Sequence, residues 1–416
     1  MSMNIAYILN STAVTSGATK AFLNMLDGLI PKGIKPFVVV PDKDGVYEEL
    51  QRRQITTLVV TYRSSAYPPL QTLRQFFLFL PKLAARLTVN LKATSILTTW
   101  LKEKQIDIVH SNTGVVRIGF DAAQRAGIPH IYHIREYADK IGIHYFPTKS
   151  FFESQLKRGN SYNICITKDI QEYYHQNGNR ASLLIYDGVF PFISKMPNIT
   201  RKNYFLFAGR IQPAKGVDFL LKAYKIYAEK AAKPLPLKIA GSHDNDYYFK
   251  NQVAFVKDCG RSELVEFLGN SKDITTLMRE ARALIVSSPF EGFGFCMPEA
   301  QQQGCLVIAR NTSGTKEQLD NALQMTGQEI ALRYLSVEEL AAWLTKVAEE
   351  PQEQFRPYTE LAFKVVNQLY TKEANAQQVF RFYHRIIAAS YQAAKNQETS
   401  CLPECQQSTK TKNERR

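Results

Sequence analysis

Cysteine is scarce in this chain and lacks a metal-binding spacing. The 416 residues include six cysteines, of which only Cys401 and Cys405 lie close together in the sequence. No second pair completes the four ligands of a structural zinc site. We therefore expect a reducing compartment and no bound metal, and we do not expect a disulfide-rich secreted scaffold.

Long apolar runs are also missing. The first ten residues have no positive charge ahead of their short apolar run, whereas a signal peptide would have one. The most apolar later stretch, residues 76–80, is followed by Pro81 and Lys82 and is far shorter than the ~20 residues of a membrane-spanning helix. These features predict a cytoplasmic protein without a transmembrane segment.

Acidic residues are absent between Glu49 and Glu103, although the net charge of the whole chain is +14. Residues near 74–92 mix basic and large apolar side chains, as a segment that meets an anionic membrane surface does. A helix packed on a sheet with its cations in solvent fits the same pattern. The stretch contains no recognised nucleic-acid-binding module, so we expect no nucleic-acid partner.

Short apolar runs alternate with amphipathic segments of helical length, a pattern typical of parallel βαβ units. The length exceeds what one hydrophobic core supports. We therefore predict an α/β fold with two parallel sheets. The predicted strands of the first sheet are Ile5–Leu9, Phe37–Val40, Ile106–Val109, His130–Tyr132, Ile164–Ile166 and Leu183–Tyr186, and those of the second are Tyr204–Gly209, Leu237–Gly241, Val265–Leu268, Ala283–Val286 and Leu306–Ala309.

The same pattern divides the chain. We expect a Rossmann-like N-terminal domain over 1–190 and a linker over 191–202, where two prolines interrupt the periodicity. A second Rossmann-like domain is expected over 203–371, and a closing helix over 372–394 should pack back on the first domain. Residues 395–416 are polar, which predicts a disordered tail. A capping box is predicted at Ser336 and Glu339.

Two glycine-bounded cations follow the first strand of the second sheet, in Gly209-Arg210-Ile211-Gln212-Pro213-Ala214-Lys215-Gly216. Cations between the carboxyl end of a strand and the start of a helix suit a polyphosphate. Arg210 offers a two-pronged guanidinium and Lys215 a point charge. A solvated loop with two ordinary surface cations is the alternative interpretation.

A second candidate loop, Ser288-Pro289-Phe290-Glu291-Gly292-Phe293-Gly294-Phe295-Cys296-Met297-Pro298-Glu299, also follows a predicted strand. Its two glycines allow the backbone to approach a ligand, and Glu291 and Glu299 can accept hydrogen bonds from sugar hydroxyls. Met297 stands where a dinucleotide fingerprint needs a third glycine. Hydride transfer with a nicotinamide is therefore not expected.

Three weaker signals complete the set. Gly17 follows the first strand at a predicted helix start, where it can approach phosphate or sugar. His133 lies at the carboxyl edge of a strand, where a histidine can bind a sugar or move a proton. A flexible loop and a structural histidine are the respective alternatives. Asp244-Asn245-Asp246 resembles a divalent-cation motif, but its polar context favours a solvated turn.

Together these residues resemble family 4 of the retaining glycosyltransferases, which have the GT-B architecture of two facing Rossmann-like domains with a ligand cleft between them. The resemblance covers residues 4–394. Its most specific elements are the Gly209–Gly216 loop and the segment Glu291–Glu299; similar residues downstream are Gly304, Ser313, Gly314 and Glu317.

The resemblance implies roles for individual residues. Arg210 and Lys215 would bind the donor diphosphate, and Glu299 would bind the ribose. The transferred sugar would be held by Glu291 and by the N–H groups of Gly292, Phe293 and Gly294. His133 would lie near the donor sugar, so that the implied catalytic residues are Glu291, His133, Arg210 and Lys215.

Two positions depart from the family pattern. Ser16 precedes Gly17 where the family usually has Gly-Gly, and Leu306 stands where proline is common. Neither departure removes a charged donor-binding group.

The implied function is retaining transfer of a hexose-type sugar from a nucleoside-diphosphate sugar to a saccharide, with no metal or other cofactor. A lipid-linked acceptor at the inner face of the plasma membrane, in bacterial capsule, O-antigen or exopolysaccharide assembly, is the leading expectation. A soluble small-molecule acceptor is one alternative. A non-catalytic sugar-nucleotide-binding protein is the other.

Overall fold

The computed structural model describes residues 2–13, 16–67, 72–198, 200–260, 262–271 and 273–400. They form two α/β domains, each built on a parallel sheet, so the predicted fold class is confirmed. Residues 401–416 of the predicted disordered tail lie outside the described residues.

The first domain contains a seven-stranded sheet in the order β3-β2-β1-β5-β6-β8-β9. All its strand pairs are parallel. Its strands are β1 Met3–Ile8, β2 Ile34–Val40, β3 Thr56–Val59, β5 Ile108–Ser111, β6 His130–Ile134, β8 Ser161–Cys165 and β9 Ser182–Leu184, with β4 Ala66–Tyr67 and β7 His144–Tyr145 forming a small antiparallel pair. Its helices are α1 Gly17–Leu29, α2 Val46–Arg52, α3 Leu73–Phe77, α4 Phe79–Glu103, α5 Ile118–Ala126, α6 Lys149–Leu156 and α7 Lys168–Tyr173.

The second domain contains a six-stranded sheet in the order β12-β11-β10-β13-β14-β15. Its strands are β10 Phe205–Ala208, β11 Leu237–Ala240, β12 Val265–Gly269, β13 Ala283–Val286, β14 Val307–Arg310 and β15 Leu332–Tyr334. The helices after β9 are α8 Val217–Lys230, α9 Asp246–Asp258, α10 Ile274–Glu280, α11 Cys296–Gln302, α12 Ser313–Thr326, α13 Val337–Glu349, α14 Arg356–Leu369 and α15 Lys372–Ser400.

Both sheets have apolar residues on both faces, because helices cover each face. Along β1 and β13 almost every side chain is buried, which explains the continuous apolar runs in the sequence. Strand order reverses between β1 and β5 in one sheet and between β10 and β13 in the other. Ligands of open α/β sheets bind at such reversal points, beyond the carboxyl ends of the strands. The loops at 209–216 and 287–295 begin there.

The last helix returns to the first domain. In α15, Ala376, Val379 and Phe382 are buried in the hydrophobic core of that domain, together with β1 and α1. Phe190 also forms an isolated parallel bridge with Thr371, just ahead of α15. The helix extends to Ser400, past the limit of 394 expected from the sequence. The chain therefore crosses between the domains twice, so the two domains are joined by two connections.

Local sequence signals account for several helix ends. Ser336 accepts a hydrogen bond from Glu339 N–H, and the Glu339 carboxylate accepts one from the Ser336 N–H, so the predicted capping box is confirmed. Thr148 and Thr167 cap α6 and α7 with their side-chain hydroxyls, which accept hydrogen bonds from backbone N–H groups of the first turn. No helix among the described residues is both long enough and apolar enough to cross a membrane.

Candidate active site

Two loops at the carboxyl ends of β10 and β13 form the centre of the site. The Ser287 hydroxyl donates to the Lys215 carbonyl at 2.9 Å, which fixes one loop to the other. Gly216 adopts a left-handed φ of 65°, and a Cβ atom there would overlap the Ser287 carbonyl. Glycine is therefore required at the point where the two loops meet.

Lys215 and Glu291 form an ion pair inside this junction. The Lys215 Nζ lies 2.6 Å from Glu291 Oε1, and the two side chains are 26% and 10% exposed. The Ser288 hydroxyl donates to the same oxygen at 2.6 Å. The Glu291 carboxylate is thus oriented by a cation and a hydroxyl, and both predicted donor-site residues lie together at the cleft.

Arg210 lies at the outer side of the same loop. Its side chain is 60% exposed and its Nη1 is 3.4 Å from Asp244 Oδ2. The adjacent Asn245 caps α9 by accepting a hydrogen bond from Tyr248 N–H at 2.9 Å. Asp246 pairs with His243 at 3.1 Å. The Asp244–Asp246 motif is thus a helix-capping turn. Within the described residues no cluster of three or more His, Cys, Asp or Glu side chains is placed to hold a metal ion.

The glycine loop after β13 contacts the other domain. A Cβ atom on Gly292 would overlap the carbonyl oxygen of Arg135, and Gly294 has a left-handed φ of 88°. Between them, the buried Phe293 ring packs 5.1 Å from the Tyr370 ring. Gln318 donates to the Phe293 carbonyl. The loop is held from both sides, with no room for a side chain at Gly292.

Glu299 and Gly17 lie in different domains, on opposite sides of the cleft. Glu299 lies in the first turn of α11, and its carboxylate forms an ion pair with Lys20 of α1. Gly17 begins α1. A Cβ atom on Gly17 would meet nothing within 4 Å, so protein packing does not require glycine there. No local pattern singles out Lys20, because its partner lies in the other domain.

His133 is placed differently from expectation. It is fully buried in the first domain and has no surface on the cleft. Its Nδ1 lies 3.1 Å from His110 Nε2 and 3.1 Å from Arg135 Nη2. Burial, followed by the nearby charge of Arg135, lowers the pKa of His133 well below its usual value. The imidazole is therefore enclosed by protein and neutral, and its role near the donor sugar stays a prediction.

Arg135 is the polar residue that follows β6 towards the cleft. Its guanidinium forms a buried ion pair with Asp187 and donates from Nε to the Asn112 carbonyl at 3.1 Å. The Asn112 amide in turn donates to the Ala18 carbonyl at 2.9 Å, in the first turn of α1. Arg135 therefore supports the start of α1 through Asn112, and its carbonyl oxygen lies against Gly292.

Glu317 makes a second contact between the domains. Its carboxylate accepts hydrogen bonds from Lys168 N–H at 2.8 Å and Asp169 N–H at 3.3 Å, at the start of α7. The Tyr186 hydroxyl donates to it at 2.9 Å. A carboxylate at a helix N-terminus is favoured by the helix dipole. The contact fixes α12 of the second domain to α7 of the first.

Two family models match the chain in succession. The model described as glycosyl transferase 4-like domain matches residues 16–185. The model described as glycosyl transferases group 1 matches residues 190–361. Together they cover most of the chain and meet between the two sheets. Both models identify the chain as a glycosyltransferase, and residues 190–361 as its group 1 glycosyltransferase domain.

Curated relatives match over part of their length. The uncharacterized glycosyltransferase MJ1178 of Methanocaldococcus jannaschii is 27% identical over 221 residues, which are 52% of this chain and 59% of the relative. The uncharacterized glycosyltransferase YqgM of Bacillus subtilis is 28% identical over 198 residues, 47% of this chain and 50% of the relative. The chain thus spans between a half and three fifths of the length of these relatives.

Solved structures match over nearly their whole length. HepE of Anabaena, in complex with UDP and glucose, superposes with a TM-score of 0.69 at 19% identity, covering 91% of this chain and 98% of that chain. At this identity the likeness shows the fold alone. It confirms the GT-B architecture expected from the sequence.

Proposed function

We propose that this protein is a retaining glycosyltransferase that moves a hexose-type sugar from a nucleoside-diphosphate sugar to a saccharide. The observation that carries the proposal is the Lys215–Glu291 pair, 2.6 Å apart and only partly exposed, at the strand-order reversal of the second sheet. A cation for phosphate and a carboxylate for sugar hydroxyls are then adjacent. The UDP and glucose bound by HepE support a nucleotide-sugar donor.

In the proposed complex, Arg210 and Lys215 neutralise the charge that develops on the leaving diphosphate. Such groups are most effective when they are already in place before the reaction. Lys215 is in place, because Glu291 and the neighbouring loop hold it. We expect the two cations to supply this charge without a divalent metal ion.

We propose that transfer retains the anomeric configuration and uses no protein nucleophile. Glu291 Oε1 already accepts hydrogen bonds from Lys215 and Ser288, which lowers its capacity to act as a nucleophile. We propose that Glu291 instead orients sugar hydroxyls, and that the leaving diphosphate takes the acceptor's proton on the same face of the sugar. Glu299 would bind the ribose, and closure of the cleft would exclude water.

The acceptor side of the proposal rests on the surface of α3 and the first half of α4, here called the α3–α4 surface. Leu73, Phe77 and Leu80 on it are 80%, 75% and 70% exposed. Arg74 and Lys82 are exposed among them. Exposed apolar side chains mixed with cations suit an anionic lipid surface. We propose that this surface docks on such a membrane at the cytoplasmic face, where the enzyme meets a lipid-linked saccharide of bacterial polysaccharide assembly.

Arg86 takes a different part in that segment. Its Nη1 donates to the Ala66 carbonyl at 2.9 Å and the Ser64 carbonyl at 3.3 Å. Burial lowers the pKa of its guanidinium somewhat. Arg86 therefore fixes α4 to the domain, whereas the exposed Arg74 and Lys82 are available to lipid.

The donor site is tested by calorimetric titration with UDP-, GDP-, ADP- and dTDP-sugars on the native protein and on Lys215→Ala. Selective binding that disappears in Lys215→Ala supports the proposal. Lys222→Ala, an exposed lysine of α8 in the same domain, is the matched control. Retention of donor affinity in Lys215→Ala, or the absence of binding by the folded native protein, contradicts it. Activity without any membrane would instead favour a soluble acceptor.

A further inference from the structure

Lys20 is the feature of the cleft that the proposed function leaves unused. It belongs to the first domain but pairs with Glu299 of the second domain, 279 positions away in the sequence. The Lys20 side chain is 50% exposed and that of Glu299 is 21% exposed. The ammonium therefore lies in the open cleft, on the carboxylate proposed to bind the ribose.

A bound nucleotide competes with this ion pair. Ribose hydroxyls are hydrogen-bond donors that need the Glu299 oxygens, and Lys20 occupies one of them. A ribose that uses both carboxylate oxygens with its two neighbouring hydroxyls would draw this oxygen away from Lys20. Its four-carbon stem is flexible, and an ammonium is a strongly hydrated point charge that favours an anionic partner.

Such a partner arrives with the ribose itself, because the first phosphate of a nucleoside diphosphate is attached to the ribose 5′ carbon. Lys20 lies in the first turn of α1, and no side chain caps the start of that helix at Ser16. Backbone N–H groups at a helix start also favour a phosphate. Lys20 can thus exchange the carboxylate for the phosphate.

We propose that Lys20 is a donor-binding residue that pairs with Glu299 in the empty cleft and with the ribose-linked phosphate in the loaded cleft. This inference rests on the proposed function, since it takes Glu299 as the ribose ligand. It adds a cation from the first domain to the two of the second domain. It also explains how the empty site avoids leaving Glu299 unpaired.

The exchange predicts opposite effects on two ligands. In Lys20→Met, a nucleoside diphosphate loses a charge-assisted contact, so its affinity should fall about tenfold or more. A nucleoside without phosphate has nothing to gain from Lys20 and must displace it from Glu299. Its affinity should therefore rise, by about twofold or more.

The experiment measures the affinities of UDP, GDP, ADP and dTDP by calorimetric titration. The affinities of the corresponding nucleosides are measured by NMR titration. The proteins are the native chain, Lys20→Met, Lys20→Arg and the control Lys222→Met. Lys20→Arg, which keeps the charge, should retain most of the nucleotide affinity. Equal changes of one sign for nucleotide and nucleoside, or unchanged nucleotide affinity in Lys20→Met, would overturn the proposal for Lys20.

Lys215→Ala separates this result from the proposed function. If Lys215→Ala weakens binding of the nucleoside diphosphate and Lys20→Met does not, the donor site is supported and the proposed role of Lys20 is wrong. If neither variant weakens it, or if the native chain binds none of the four nucleotides, both proposals are wrong. Unchanged folding of each variant is checked by its thermal unfolding.

Discussion

The Nζ atom of Lys215 and the Oε1 atom of Glu291 lie 2.6 Å apart, although 76 positions separate the two residues in the sequence. Each follows a different strand, and the strand order of the sheet brings β10 beside β13. The fold therefore places the cation proposed to bind phosphate against the carboxylate proposed to bind sugar hydroxyls. Preorganised electrostatic groups are usually the largest single contribution to catalysis.

Removal of either cation should therefore damage transfer. We expect Lys215→Ala and Arg210→Ala each to lower kcat/KM by about 10²-fold or more, the order seen when one preorganised electrostatic group is lost. The measurement is sugar transfer to an acceptor under subsaturating donor. Lys222→Ala provides the baseline for loss of an exposed lysine. Near-native rates in both variants would remove the phosphate role from this loop.

Gly17 allows ligand contact to be separated from protein packing. An added methyl group meets no protein atom within 4 Å there, so Gly17→Ala should leave the unfolding temperature of the chain almost unchanged. If donor phosphate or sugar approaches Gly17 closely, its affinity should fall several-fold or more. Gly159 has the same open surroundings and no left-handed φ, so Gly159→Ala is the matched control. Equal donor affinity in the two variants would count against a donor contact at Gly17.

Local patterns were sufficient to find the strands that form the centres of both sheets and the loops at 209–216 and 287–295 that follow two of them. A buried parallel strand appears as an apolar run, and the glycines and cations after it are adjacent in sequence. Edge strands β3 and β15 were missed. The side chains of β3 are only half-buried, and β15 contains three residues. Neither produces a clear apolar run.

Contacts between the domains had no such local signal. Lys20 reaches Glu299 only because the two sheets face each other. His133 was expected at the cleft from its place at the end of β6. Neighbouring side chains of a strand point to opposite faces of the sheet. The place of a histidine at the end of a strand therefore does not show whether other parts of the protein cover it. The pairing of Arg135 with Asp187 and Asn112 likewise depends on three separate strands.

Buried histidines should make stability depend on pH. Burial lowers the pKa of His130 to about 3, and the pKa values of His110 and His133 lie well below their usual value. Below pH ~6.5 the unfolded chain binds protons at these sites and the folded chain does not, so stability falls as the pH falls. Burial raises the pKa of Glu136 to about 7 and the pKa values of Asp121 and Asp187 above their usual value. These three carboxyls act in the opposite direction.

The net slope should still be positive near pH ~5.5, because the unfolded-state pKa of histidine, ~6.5, lies above this pH and that of aspartate, ~3.9, lies well below it. We therefore expect the three histidines to outweigh Glu136 and the two aspartates. As the pH is lowered near pH ~5.5, we expect the free energy of unfolding to fall by at most about 3 kcal/mol per pH unit. Urea unfolding at several pH values between pH ~5 and ~7.5 measures it. His130→Gln, which cannot be protonated in this range, should reduce the slope. Stability that stays constant or rises on acidification would contradict the assignment of neutral buried histidines.

The α3–α4 surface makes the membrane proposal testable by charge reversal. Arg74→Glu with Lys82→Glu should release the protein from vesicles that contain anionic phospholipid, because each basic group near such a surface contributes about 1 kcal/mol. Arg86 is left unchanged, since it holds α4 to the domain. Lys222→Glu with Lys250→Glu makes the same change of net charge on exposed positions of the second domain. Only the first pair should lower cosedimentation, and high salt should weaken binding of the native protein.

The apolar part of the surface gives an independent arm of the same test. Phe77→Ser with Leu80→Ser removes two side chains that are 75% and 70% exposed, so the fold should keep its stability while insertion into the lipid is weakened. If binding were electrostatic adsorption alone, these changes would leave cosedimentation intact. Unchanged binding in both the charge-reversed and the serine variants would show that the α3–α4 surface is not the membrane contact. The lipid-linked acceptor would then lose its main support, whereas the donor site would be unaffected.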